Sequence, residues 1–197
     1  ITFSLVSHLQ RAQVNLWSWA DSLFQNFGTE MFGAFLTFLL IEVLVTGRRQ
    51  RESDAREAAQ RKGQLLIQMR SEDAERVLLA VNELRLNNWH KDGTLMGAAL
   101  SAANLEQAIL REASLDHADL RSAVLCRADL RGASLRGALL EEADLSGANL
   151  AGARLRGAVL GYAEFDEHTI LPDGSRWAPE SDTDRFTDPS HTHFWEP

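Results

Sequence analysis

The side chains to test first for chemistry are Cys126 with His117, the Asp188-His191-His193 group near the C-terminus, and Glu42 inside an apolar run. A thiolate nucleophile needs a base within hydrogen-bond reach. Cys126 and His117 fall in different columns of the five-residue register described below, so no such pair is expected. His191 and His193 share one side of an extended strand, but a metal site needs three or four ligands. No further cluster stands near them, and solvated histidines are expected. The single cysteine excludes an internal disulfide and a Cys-rich metal centre. The glycines at 132, 137, 147, 152 and 157 follow the same register and form no phosphate loop. The chain is therefore read as a non-enzyme without cofactor, metal or small-molecule substrate.

Charge narrows the partners. The chain holds 28 acidic and 20 basic residues, a formal charge of −8. Residues 48–70 carry seven basic and three acidic side chains, and residues 166–197 carry eight acidic and two basic. No basic face dominates the body, so nucleic acid is not an expected partner.

The elements that position these residues begin with an amphipathic helix over 1–28, expected at the extracytoplasmic interface. Leu5, Leu9, Ala12, Leu16, Ala20, Leu23 and Phe27 recur at steps of three or four. Trp17 and Trp19 add rings suited to the headgroup zone or to a partner. Residues 29–47 approach the roughly 20 apolar residues that cross a bilayer core of about 30 Å, and a transmembrane helix is expected there. Arg48, Arg49 and Arg51 follow it as membrane-surface charge, which puts the C-terminal side in the cytoplasm. Glu42 lies six residues before Arg48, about 9 Å along a helix axis. It reads equally as a group at the cytoplasmic headgroup layer, hydrated or paired with an arginine, and as an intramembrane contact to another subunit or a bound cofactor. No small-residue cleavage site follows the run, so a cleavable signal peptide is not expected. Ile1 in place of methionine leads us to expect a longer product.

Residues 48–70 read as a polar stalk helix and 71–95 as a capping helix and turn, with Ser71 its expected N-cap. The period then changes. Leucine stands at every fifth position from Leu100 to Leu160, followed by Phe165, and alanine stands two places earlier from Ala98 to Ala163. No α-helix keeps such a stripe on one face, because each five-residue step rotates it by about 140°. A strand, with period two, fails as well.

Ala103-Asn104-Leu105, Ala118-Asp119-Leu120, Ala128-Asp129-Leu130, Ala143-Asp144-Leu145 and Ala148-Asn149-Leu150 carry the resemblance that follows. The segment 96–165 resembles the pentapeptide repeat family. That resemblance implies a right-handed quadrilateral β-helix, each pentapeptide forming one side of a square coil. The fold class expected is this solenoid preceded by α-helices, one of them transmembrane. Residues 166–197 are expected to form a C-terminal cap and acidic tail, with Trp177 folding over the last coil.

Residues twenty apart then stack in columns. Leu139 and Val159 share one and make a small dry strip, a candidate partner contact. Some family members mimic DNA and shield a type II topoisomerase; that alternative calls for a long, strongly acidic rod. Residues 96–165 hold nine acids and seven bases, too balanced for it. The expected function is a membrane-anchored scaffold or interaction module in the bacterial inner membrane, its repeat domain cytoplasmic. It is expected to bind lipid and the protein partners of a larger membrane complex, respiratory or photosynthetic assemblies being the candidates, as an accessory subunit.

Overall fold

The computed structural model describes the backbone of residues 2–71 and 73–197, and the side chains of residue 21 and residues 33–71 and 73–197. The chain divides into two compact units, 1–57 and 58–197. Helix α1 runs Thr2–Gln68. No proline precedes Pro172, so nothing removes an N–H from its ladder. It holds as one helix the three segments that the sequence reading treats separately.

In the first unit every large apolar side chain from Phe35 to Val45 is exposed. Thr37 and Thr46 donate their hydroxyls back to the carbonyls of Gly33 and Glu42, each at 2.7 Å. Arg48 pairs with Glu52 at 3.0 Å. Among the described residues, no helix is long and apolar enough to cross a membrane. The span expected over 29–47 is therefore not found among them. The side chains of 29–32 lie outside the described residues, as do those of Trp17 and Trp19.

The second unit opens with the end of α1 packed on α2 (Ala74–Leu86). Val77, Ala80, Val81 and Leu84 are buried at steps of three and four and join Leu65 and Met69 in one core with the first coil. Arg61 grips Glu83 through two hydrogen bonds of 2.5 Å, and Lys62 reaches Asp92 at 2.6 Å. The N-cap of α2 is Asp73, not Ser71. Its carboxylate accepts from the N–H groups of Glu75 and Arg76 at 3.1 and 3.4 Å, while Ser71 accepts from Asp73. A carboxylate is the stronger acceptor at a helix N-terminus.

A quadrilateral β-helix follows. Parallel bridges join residues twenty apart, and in the last coil twenty-one, on four faces: Ala99-Asp119-Leu139-Val159, Asn104-Val124-Asp144-Glu164, Ile109-Asp129-Asn149-Ile170, and Ser114-Ser134-Arg154. We number these faces one to four. Leu100 to Leu155 and Ala98 to Ala158 of the repeat are buried; Leu160, Ala163 and Phe165 are part-buried at the open end. The register explains the square. Each side is a short extended stretch, and the second residue of each corner turns left-handed, from Gly97 (φ 63°) and Ala102 (φ 57°) to Tyr162 (φ 58°). That turn aims the corner N–H at the carbonyl one coil on, as from His117 to Arg136 at 2.8 Å. Glycine suits the conformation best, which accounts for its five-residue spacing.

The last coil breaks the count. Asn149 pairs with Ile170, twenty-one residues away, and Ile170 then pairs antiparallel with Arg176. The extra residue is taken up where Asp166 accepts from Gly147 N–H at 2.7 Å and buried Thr169 donates to the Leu145 carbonyl at 3.0 Å. Trp177 stacks on Phe165 with ring centroids 6.0 Å apart. Short helix α3 (Asp184–Thr187) buries Phe186, which meets Trp195 edge-on at 5.8 Å.

Candidate interaction surface

The structure separates the residues that chemistry would have to bring together. Cys126 sits at the corner between faces two and three, and His117 at the corner between faces four and one. The Cys126 thiol donates to Asp144 Oδ2 at 2.8 Å. Burial, then the adjacent Asp144 carboxylate, pushes its pKa up to about 12, so the thiolate needed for attack does not form near neutral pH. His191 pairs with Asp182 at 3.0 Å, beside His193. Among the described residues no group of three His, Cys, Asp or Glu side chains could hold a metal ion. Glu42 makes no side-chain hydrogen bond or ion pair among the described residues; Arg48 turns to Glu52 instead. Arg49 and Arg51 are exposed on α1.

A cleft of about 460 Å³ opens where α2 meets the first coils, lined by Asn82, Arg85, His90, Lys91, Arg111 and Glu112. Its cations are mostly spent: Lys91 pairs with Glu112 and Arg111 with Asp129. His90 is only 6% exposed, and its Nδ1 has no hydrogen-bond partner. Burial, then the nearby Lys91 and Arg85, holds its pKa below the ordinary histidine value, against an opposing hydrogen bond to the Leu84 backbone.

What remains is the outer wall. Several of its arginines lie against their own neighbours, Arg121 on Asp119 at 2.7 Å and Arg131 on Asp129 at 2.8 Å. The Arg121 guanidinium holds the Asp119 carboxyl below its usual range. Face one differs from the others. Leu139 and Val159 are bridged there in adjacent coils, Leu139 half-buried and Val159 42% exposed. Tyr162, at the upper corner of that face, is 91% exposed. Sequence reasoning passed over it. The available signal is its place as second residue of a corner, which forces the side chain outward.

With the geometry in hand, residues 95–132 and 125–161 match the model for pentapeptide repeats, in eight copies. The chain carries a pentapeptide repeat domain. Domains of this family form right-handed quadrilateral β-helices and are generally non-catalytic interaction modules. Among solved structures, the pentapeptide repeat protein Rfr23 from the cyanobacterium Cyanothece 51142 is 43% identical over 36% of this chain and 52% of its own, with a TM-score of 0.33. A pentapeptide repeat protein from the Arabidopsis thaliana thylakoid lumen is 32% identical over 38% of this chain and 51% of its own, TM-score 0.37. HetL from Nostoc, a pentapeptide repeat protein involved in regulating heterocyst differentiation, is 43% identical over 42% and 40%, TM-score 0.31. The chain thus spans about half or less of each. A comparison with curated proteins finds no match.

Proposed function

We propose that the chain is a non-catalytic scaffold held at a membrane by α1, presenting its pentapeptide repeat domain to protein partners. The observation that carries this is the all-round exposure of the apolar side chains from Phe35 to Val45. A helix that is apolar on every side is at home in a protein core or in lipid. A helix lying flat on a membrane keeps a polar face, and this segment has none. Between Ala34 and Val45 only Thr37 and Glu42 are polar, about 140° apart around the axis. The threonine hydroxyls are already spent on α1's own carbonyls, as hydrocarbon surroundings demand.

Arg48, Arg49 and Arg51 follow this segment, and basic residues flank lipid segments on the cytoplasmic side. The reading therefore places the repeat domain in the bacterial cytoplasm, against the inner membrane. Service as an accessory subunit of a larger membrane complex is consistent with a domain whose family members are generally non-catalytic interaction modules. Alkaline carbonate extraction of membranes tests the tether. The full chain should stay in the pellet, and a variant carrying Leu40→Lys and Leu44→Lys should move to the supernatant. Wild-type protein released by carbonate would end the lipid reading and leave a protein partner as the cover for this segment.

A further inference from the structure

Face one is self-complementary, and we propose that it pairs with face one of a second copy of this chain in parallel orientation. The inference deepens the scaffold role by naming a partner, and it does not rest on the lipid tether.

The face has three vertical strips. The middle one carries Asp119, Leu139 and Val159. The corner on one side carries Asp116, Arg136 and Arg156 in rising order; the corner on the other carries Arg121, then Glu141 with Glu142, then Tyr162. The signs along the two edges are opposite at the first two heights, and the third sets a cation against an aromatic ring.

A two-fold axis parallel to the solenoid axis brings the left edge of one copy over the right edge of the other at equal height. Asp116 then faces Arg121, Arg156 reaches Glu142 from the coil above and comes level with Tyr162, a cation over a ring, while Arg136 stays with its own Glu196 and Arg121 shares Asp119. Leu139 and Val159 meet their own copies in the middle. Each of these contacts occurs twice, because an isologous interface repeats every contact. The antiparallel alternative sets Arg136 against Arg136 and Glu141 against Glu141, which costs energy.

Two features of the single chain fit this arrangement. Arg156 makes no ion pair among the described residues, unlike Arg121, Arg131 and Arg136. Glu142, exposed on the other edge, accepts only from the Ser122 hydroxyl at 3.1 Å and makes no ion pair among the described residues. A free cation on one edge and a free anion on the other are the complementary halves of one contact. The face is small beside the roughly 800 Å² per partner of a standard interface, so the association is concentration-dependent and salt-sensitive.

The test is a charge swap on two exposed positions, Glu142→Lys in one variant and Arg156→Glu in the other. Full-length chains, one tagged and one untagged, are mixed in mild detergent, with circular dichroism confirming that each variant is folded. Wild type should capture wild type. Each variant should capture itself about tenfold less, because both symmetric contacts become repulsive. The two variants mixed should capture each other as well as wild type does, since both contacts are again opposite in sign. Any of three results overturns the proposal: no wild-type self-capture, undiminished self-capture by either variant, or no recovery in the mixture. Undiminished capture would assign the association to α1, which the swap does not touch.

Discussion

The guanidinium of Arg136 meets the carboxylate of Glu196 at 2.5 Å across sixty residues of sequence. One end of this pair belongs to a corner in the middle of the solenoid, the other to the penultimate residue of the chain. The C-terminal segment is thus folded back along the wall. Gly157 N–H donates to the Thr187 carbonyl and Gly152 N–H to the Pro172 carbonyl, each at 2.7 Å.

That ion pair is nonetheless not what holds the cap down. Both side chains keep solvent contact, and exposed pairs contribute well under about 1 kcal/mol. Phe186, buried under Trp195, contributes far more. Glu196→Gln should leave urea unfolding almost unchanged, whereas Phe186→Ala should cost about 3 kcal/mol. Equal effects would show that the charge, not the ring, anchors the tail.

The corners make a second prediction. A Cβ on Gly137 would stand 2.6 Å from His117 Nδ1, at a φ of +63°. Gly137→Ala should therefore destabilise the domain by about 1–2 kcal/mol, the usual cost of left-handed backbone plus a displaced imidazole. Gln107 holds the same conformation at φ 58° on an exposed corner. Gln107→Gly should change the melting temperature little or raise it, because relief of strain opposes the entropy that glycine adds to the unfolded chain. A large loss there would mean that the Gln107 side chain matters to its corner.

Acid should loosen the N-terminal end of the solenoid through His90. Its ring packs among Arg85 and Lys91, with Glu112 the opposing charge. Unfolded histidine titrates near 6.5, and the folded value lies below that. The associated stability is therefore full above about pH 6.5 and is lost as pH falls through the depressed value. Urea unfolding at pH 7.5 and pH 5.0 should show a larger drop for wild type than for His90→Gln. Identical drops would remove His90 from the account.

Cys126 makes the mirror-image case at high pH. Its folded pKa of about 12 lies above the unfolded thiol value near 8.5. Its contribution is complete below the unfolded value and disappears as pH rises through about 12. Iodoacetamide at pH 8 should modify the native protein slowly and the urea-unfolded protein quickly. Rapid native labelling would contradict the Asp144 hydrogen bond.

How much of this was legible in the sequence depends on whether a residue obeys the register. Leu125 and Ala123 declare their burial because a period of five has no other use. Gly137 declares a corner for the same reason. Ala102, Gln107 and Glu142 adopt the left-handed corner without any glycine to announce it, since the stacked hydrogen bonds outweigh their local preference. The C-terminal cap was only partly visible. Trp177 follows a turn signal at Pro172-Asp173-Gly174, but Phe186 and Trp195 sit in aperiodic sequence, where burial is set by distant contacts. The choice of Asp73 over Ser71 as N-cap turned on two residues, finer than propensity resolves. Glu42 and the apolar run around it show the converse limit: composition suggests an environment, but a single chain does not contain the surface that would cover it.

The break in count between Asn149 and Ile170 marks where the modular part of the molecule stops. Upstream of it, twenty residues spliced in between Leu120 and Arg121 would add one full coil, lengthening the rod by about 4.8 Å while both caps keep their bearings. Five residues spliced there would instead swing one cap a quarter-turn about the shaft. Reach and angular setting are therefore separately adjustable, one by multiples of twenty and the other by multiples of five. The same insertion made after Ile170 would do neither.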